Sequence, residues 1–135
     1  MRYLLDVNAL VALGFLQHEF HGRVANWVHA LTSKGVPELV SCSITELGFI
    51  RVLASAPQYG FSVSQARVVL LRLKKGDLVR FTFITDHRDV SHLPAWVKTA
   101  RQTTDGHLAQ LARAHGAILA TLDRRIRGAF LIPDK

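Results

Sequence analysis

The 135-residue sequence contains a single cysteine, Cys42. One cysteine excludes an intramolecular disulfide and a zinc site built on cysteine ligands, and it suits a reducing cytoplasm. Internal repeats and low-complexity segments are also missing. These absences argue against a disulfide scaffold, a cysteine-based zinc module and a repeat array.

Long hydrophobic runs are absent as well. No uncharged stretch reaches the ~20 residues that a membrane-spanning helix needs. The first residues, "MRYLLD", bring in charge too early for the apolar region of a secretory signal. We therefore expect a cytoplasmic protein without membrane association.

Acidic residues are scarce. Ten Asp and Glu stand against seventeen Lys and Arg, which gives a net charge of +7 and a pI near 10.3. A basic excess favours a polyanionic partner, because phosphate binding releases counterions. Ordinary solubility charge explains the same composition, so composition by itself leaves both interpretations open.

Length and composition fit one domain over residues 1–135. A chain of this size with 49% hydrophobic residues can bury roughly two thirds of its unfolded surface, and it has no room for a second domain. Apolar strand patterns alternate with helical patterns along the chain. The alternation predicts an α/β protein with three α/β/α layers and a mostly parallel sheet.

Apolar spacing predicts the individual elements. Strands are predicted at "RYLLD", "ELVSC", "LVRFTFI", "AILATL" and "AFLI". Helices are predicted from Ala9 onward and at "RVANWVHAL", "SITELGFIRVLASA", "ARVVLLRLKKG", "HLPAWVKTAR" and "DGHLAQLARAHG". The predicted helix caps are the Ser43–Glu46 and Ser62–Gln65 capping boxes and either Thr103 or Thr104.

Four acids fall at one edge of the predicted sheet. In a parallel α/β sheet, the carboxyl ends of strands and the first turns of the following helices share one edge, where ligands bind. Asp6 and Asp123 follow strands, and Glu46 and Asp105 lie in first helical turns. Two carboxylates ~4 Å apart repel by about 4 kcal/mol at an effective dielectric of ~20. The cluster therefore predicts a bound Mg²⁺ or Mn²⁺.

Each acid also has a simpler explanation. Asp6 suits a helix cap, Glu46 completes a capping box with Ser43, Asp105 opposes a helix dipole, and Asp123 suits a turn. The clustering favours the metal, because Asp6 lies inside the apolar run "LLDVNALVAL" and a buried carboxylate needs a partner. The other acids fit solvated charge: Glu19, Glu38, Asp77, Asp86, Asp89 and Asp134.

A carboxylate-bound metal on a basic protein suits phosphodiester hydrolysis. Asn8, two residues after Asp6, can orient a ligand or the attacking water. Arg124 and Arg125 follow Asp123 closely enough to contact the scissile phosphate. Three further polar residues fit caps, strands or solvent contacts more simply: Thr104, Thr121 and His107.

The stretches "LLDVNALVAL", "SITELGFIRVL", "TTDGHLAQLA" and "ATLDRRI" together resemble the four acidic motifs of the PIN-domain nucleases. Chain length and layout are most similar to the VapC-type toxins of prokaryotic toxin–antitoxin pairs. The resemblance implies a Mg²⁺- or Mn²⁺-dependent endoribonuclease, often a homodimer, inhibited by a cognate antitoxin.

Residue by residue, the resemblance assigns the acidic positions to Asp6, Glu46, Asp105 and Asp123. It also assigns Asn8 and Thr104 to polar neighbours of those acids. The "HEFH" stretch, His18 to His21, is similar to a segment that follows the first motif, and no chemistry is assigned to it.

Two other functions remain open at this point. A phosphatase with an aspartyl nucleophile uses a D-x-D motif, but Asn8 stands where the second Asp belongs. A catalytically silent RNA-binding module would use the basic helix from Arg67 to Lys75 and the "DRRIR" segment. In that helix Arg72, Lys74 and Lys75 are expected to hold phosphates. We also expect this helix and the segment around Trp27 to have more apolar surface than packing against the sheet can cover.

Overall fold

The computed structural model describes residues 1–77 and 79–134. The strands are β1 (Arg2–Leu5), β2 (Glu38–Ser41), β3 (Arg80–Phe83), β4 (Ala117–Thr121) and β5 (Phe130–Leu131). The helices are α1 (Val7–Gly14), α2 (His21–Thr32), α3 (Ser43–Ser55), α4 (Val63–Lys75) and α5 (Thr103–Ala114). Leu78, where the predicted strand "LVRFTFI" begins, lies outside the described residues.

The five strands form one parallel sheet in the order β3-β2-β1-β4-β5. The central strand β1 pairs with β2 on one side, where Tyr3 faces Leu39, and with β4 on the other, where Leu5 faces Ala120. Because every pair is parallel, the carboxyl ends of all five strands lie at one edge. The predicted three-layer α/β/α fold with a mostly parallel sheet is confirmed.

Two apolar cores cover opposite faces of the sheet. Leu5, Leu39 and Ala120 belong to a core with the buried residues of α1 to α4. Their strand neighbours Leu4, Val40 and Leu119 belong to a second core with α5. This alternation follows from the two-residue period of a strand, and it leaves four helices on one face and one long helix on the other.

Trp27 of α2 is enclosed in the larger core. It is 5% exposed, and its ring packs against Tyr3 and Phe130 at centroid distances of 4.9 and 5.6 Å. The expectation of a spare apolar surface around Trp27 is therefore wrong. The surplus lies instead on α4, where Val63, Val68 and Leu71 are exposed.

Three local predictions are also wrong. The residue that caps α3 is Cys42, and Thr45 closes the box with it, because a single residue joins β2 to α3. Helix α5 begins after Gln102 without a side-chain cap, because a 3-10 turn over Ala100–Gln102 leads directly into it. The predicted helix at "HLPAWVKTAR" is replaced by short 3-10 turns on either side of an extended loop.

The remaining elements agree with the prediction to within two or three residues, and the Ser62–Gln65 capping box of α4 is present. Across residues 1–77 and 79–134, no helix combines the length and the apolar character needed to cross a membrane.

Candidate active site

Asp6 lies at the carboxyl end of the central strand. Its backbone N–H donates to the Ala120 carbonyl at 3.1 Å, which continues the β1–β4 ladder by one residue. The side chain then caps α1: Oδ1 accepts from the Ala9 N–H at 2.9 Å, and Oδ2 accepts from the Thr121 hydroxyl at 2.5 Å. The predicted helix cap is thus present, in the same carboxyl group that was predicted to bind metal.

Burial raises the pKa of Asp6 to about 6, although both hydrogen bonds lower it. The charges of Asp105 and Asp123 raise it further. These two acids lie close enough to Asp6 to repel it, as the sheet-edge argument predicts. The buried carboxylate therefore sits where added positive charge is favourable.

Asp105 lies in the first turn of α5. Partial burial and then the charge of Asp123 raise its pKa, while Arg125 opposes the shift. Among the described residues, no donor hydrogen-bonds to this carboxylate. Asp105 is thus a partly desolvated carboxylate that has like charges beside it and no direct partner.

Asp123 follows β4 and forms a tight turn with Arg125. Its Oδ1 accepts from the Arg125 backbone N–H at 2.9 Å, and the Arg125 guanidinium donates to Oδ1 at 3.0 Å and to Oδ2 at 3.1 Å. These contacts hold the pKa of Asp123 below its usual value, and nearby Arg101 adds to the effect. The turn explanation for Asp123 is therefore also correct.

Glu46 has its own partners. Its Oε2 accepts from the Ser41 hydroxyl at 2.6 Å and from Lys74 Nζ at 2.6 Å. Ser41 comes from the end of β2, and Lys74 comes from the last turn of α4. Lys74 was predicted to be a free phosphate-binding cation, and this ion pair contradicts that prediction.

A close helix contact places the start of α3 beside the start of α1. A Cβ on Gly48 would lie 2.4 Å from Val7 Cγ2, so only glycine permits the two helices to approach this closely. Glu46 is two residues from Gly48, and Asp6 is one residue from Val7. The contact therefore packs the helix that carries Glu46 against the first residue of the helix that Asp6 caps.

The donor set suits a hard divalent cation, because it consists of carboxylate oxygens. Within the described residues, however, no three His, Cys, Asp or Glu side chains lie close enough together to hold a metal ion. Two of the four acids are instead paired with cations, Glu46 with Lys74 and Asp123 with Arg125. Of the four predicted acids, Asp6 and Asp105 are the two that form no ion pair among the described residues.

A cavity of about 670 Å³ opens over this edge of the sheet. Asp6, Asn8 and Asp123 line it, together with Arg124 and Arg125. Glu46 and Asp105 are not part of its lining, and Thr104 lies exposed near the start of α5. The cavity thus brings together two of the four predicted acids, the predicted asparagine and both predicted arginines.

The segment between α1 and α2 also lines this cavity, through His18, Glu19 and Phe20. His18 Nδ1 accepts from the Phe20 backbone N–H at 3.0 Å. The "HEFH" pattern marked this segment but gave no reason to place it at the site. Glu19, which was assigned to solvated charge, is exposed at the rim of the cavity. His21 lies elsewhere, against the Ala12 carbonyl.

Two weaker candidates also have clear positions. Thr121 is 1% exposed and orients Asp6 through its hydroxyl. His107 of α5 pairs with Asp86, so Asp86 is not a free surface charge either. Thr121 therefore acts within the site, whereas His107 is engaged on the outer side of α5.

Comparisons with known proteins point to one family. Residues 3–129 match the family model of the PIN domain. Ribonuclease VapC38 of Mycobacterium tuberculosis (strain ATCC 25618 / H37Rv) is 37% identical over 122 residues, which cover 89% of this chain and 84% of the relative. Ribonuclease VapC44 of the same strain is 35% identical over 136 residues, which cover 93% of this chain and 89% of the relative.

The fold is also similar to a solved structure. A chain in the crystal structure of VapBC2 from Rickettsia felis, bound to a DNA fragment from their promoter, superposes with a TM-score of 0.63. The match covers 97% of both chains at 18% identity, so it supports the fold alone. By the family-model match over residues 3–129 and the relatives' identity, this chain belongs to the PIN-domain family.

Proposed function

We propose that this protein is a Mg²⁺- or Mn²⁺-dependent endoribonuclease and the toxin of a toxin–antitoxin pair. The observation that carries the proposal is that Asp6, Asp105 and Asp123 come close enough at the carboxyl edge of the sheet for the charge of Asp123 to raise the pKa of the other two. The names of the relatives, Ribonuclease VapC38 and VapC44, support RNA as the substrate. The net charge of +7 supports a polyanionic substrate as well.

The acids are proposed to hold the metal. Asp6 is the best prepared ligand, because Thr121 and the Ala9 N–H fix both of its oxygens. Asp105 and Asp123 complete the ligand set, with Glu46 as its fourth member. When bound, a divalent cation activates water and neutralises charge on the phosphate oxygens.

The residues of the chain then position the reactants. Asn8 on the cavity wall orients the attacking water through its amide, and Arg124 and Arg125 contact the phosphate. In the reaction a water oxygen bonds to phosphorus, and the P–O3′ bond breaks. The water gives up one proton to solvent and the leaving 3′ oxygen takes one from solvent, so the products are a 5′-phosphate and a 3′-hydroxyl.

Two protein partners are proposed, a cognate antitoxin and a second copy of the chain. The structural neighbour is a VapBC2 assembly, which supports an antitoxin. The exposed apolar residues of α4 support a homodimer, because Val68 and Leu71 are each 45% exposed. We propose a cytoplasmic location and a single domain over residues 1–135.

Metal removal tests the proposal. Cleavage of RNA should stop in excess EDTA and return with Mg²⁺ or Mn²⁺, and Asp105→Asn should be inactive under all these conditions. The readout is gel analysis of labelled RNA, and Lys34→Gln serves as a control outside the site. Undiminished cleavage in EDTA would contradict metal dependence, and binding without cleavage in any metal would favour the silent RNA-binding module.

A further inference from the structure

Two smaller cavities continue from the active-site cavity along the loop that precedes α5. The first, of about 270 Å³, is lined by Trp96, Lys98, Gln102, Arg125 and Arg127. The second, of about 240 Å³, is lined by Trp96, Arg127 and Arg113, with apolar and amide groups around them. Arg125 also lines the active-site cavity. The three cavities are therefore a series of neighbours that share lining residues, Arg125 between the first two and Trp96 and Arg127 between the two smaller ones.

A glycine of α5 holds Trp96 at this position. A Cβ on Gly106 would lie 2.2 Å from Val97 Cγ2 and 3.7 Å from Trp96 Cη2, so the loop packs directly on the helix backbone. Trp96 also packs against the smaller core and is only partly buried. The indole therefore packs against α5 at Gly106, the residue after Asp105, and against the smaller core. Its remaining surface lines both small cavities.

The cations of these cavities are available to a ligand. Lys98, Arg113 and Arg127 are all exposed, and within residues 1–77 and 79–134 none of them belongs to an ion pair. Arg101 lies near enough to Asp123 to lower the pKa of that carboxyl. This arginine adds positive charge between the active-site cavity and the two smaller cavities. The series of cavities combines one fixed aromatic ring with several free cations.

We propose that this series of cavities binds one single-stranded flank of the RNA substrate, an inference that rests on the proposed function. One base stacks on Trp96, and successive phosphates contact Lys98, Arg127 and Arg113. Single strands fit because only an unpaired base can stack on a side chain, and alternating aromatic and basic groups are how proteins hold them. Duplex RNA does not fit, because its bases are already stacked and the cavities are too small for a helix.

Binding measurements test RNA binding by this series of cavities separately from cleavage. In an Asp6→Asn background, which prevents cleavage, the affinity for fluorescently labelled 12-nucleotide single-stranded RNA is measured by anisotropy. Trp96→Ala should weaken binding by roughly tenfold or more, and Trp96→Phe should restore most of it. Arg127→Gln should weaken binding and reduce the salt slope by about one. Lys34→Gln is the control, because Lys34 lies by the amino ends of β1 and β2.

Tryptophan fluorescence gives a second readout. Trp27 is buried, so RNA should quench the emission of Trp96 and leave that of Trp27. The quenching should disappear in Trp96→Phe while the RNA still binds. A thermal melt of each variant verifies folding. If Trp96→Ala fails to fold, the loss of quenching in Trp96→Phe and the affinity of Arg127→Gln decide the result.

The possible failures are distinguishable. If the wild-type chain cleaves RNA but Trp96→Ala and Arg127→Gln bind it as tightly as Lys34→Gln does, this series of cavities does not bind the RNA and the proposed function stands. If binding depends on Trp96 and Arg127 but no metal supports cleavage, the proposed hydrolysis is wrong and RNA binding by these cavities stands. Equal weakening for single-stranded and duplex RNA would also overturn single-strand binding by these cavities.

Discussion

At the scale of single residues, Asp6 combines a structural and a chemical role. Its carboxylate caps α1 and accepts from Thr121, and the same carboxylate has a pKa of about 6. Burial is the main cause of the shift, and the neighbouring acids add to it. The ionised group is therefore a cost to the metal-free fold at neutral pH.

Asp6→Asn should make the metal-free protein more stable at pH 7 and abolish cleavage. The folded pKa lies above the ordinary aspartate value of 3.8, so the wild-type free energy of unfolding falls between pH 4 and 6, by at most about 3 kcal/mol. Asparagine keeps the Ala9 cap and removes the charge, so this decrease should vanish. Urea unfolding of both proteins at several pH values, with EDTA present, measures the free energy of unfolding. A loss of about 1 kcal/mol at pH 7 would instead show that losing the carboxylate acceptor of the Thr121 hydroxyl outweighs removal of the charge.

Arg124→Gln and Arg125→Gln should each lower the rate of single-turnover cleavage at saturating enzyme. Both side chains line the active-site cavity, and Arg125 also holds Asp123 in its ionised form. Lys75→Gln on α4 is the matched control and should weaken affinity without changing the saturated rate. Equal saturated rates in all three variants would mean that Arg124 and Arg125 only attract RNA electrostatically and do not act on the scissile phosphate.

Sequence patterns could locate single acids but not their partners. Asp6, Asp105 and Asp123 were predictable, because strand ends and helix starts meet at one sheet edge. The Glu46–Lys74 pair was not, because it depends on how α3 packs against α4, and that packing leaves no periodic signal. The Ser43–Glu46 box failed because Ser43 is already the first helical residue, and the extended residue that can cap is Cys42.

At the scale of elements, the cations at the end of α4 divide into two groups. Arg72 and Lys75 are exposed and remain available to RNA phosphates. Lys74 is partly buried against Glu46, with its ammonium 5.5 Å from the Phe83 ring centroid. One helix end thus supplies both surface charge and a partner for an acid.

Lys74→Gln should destabilise the metal-free protein by about 1 kcal/mol, because it leaves Glu46 partly buried without its cation. The exposed control Lys75→Gln should change stability by less than about 0.5 kcal/mol. Added Mg²⁺ should raise the melting temperature of Lys74→Gln more than that of the wild type, since Glu46 is then free to bind it. Identical Mg²⁺ shifts in all three proteins would argue against Glu46 as a metal ligand.

The secondary structure was predictable where one apolar pattern dominated the segment. The prediction failed where proline and a close contact with a glycine determined the conformation of the chain. The strands and the four helices of the larger core follow from their apolar spacing. Residues 92–101 show a weak helical pattern, but they pack as a loop on the backbone of α5 at Gly106. A contact with a backbone that is distant in sequence cannot be read from local spacing.

At the scale of the whole molecule, the exposed apolar face of α4 has a consequence for assembly. We expect a homodimer in solution, and Leu71→Glu should convert it to a monomer. Light scattering at micromolar concentration measures this. Val90→Glu is the control, because Val90 is 81% exposed and lies outside that face. A monomeric wild-type protein, or a Leu71→Glu variant that stays dimeric, would remove α4 from the interface.

The strand order also determines when the molecule can become active during its own synthesis. The central strand β1 is made first, yet its partner β4 is made near the end. The bond between Asp6 and Thr121 joins residues 115 positions apart, and Asp105 and Asp123 lie in the same late part of the chain. A ribosome must therefore translate nearly all of this protein before the acidic edge can exist. On the proposed function, a partly made toxin is harmless to the messenger RNA that encodes it.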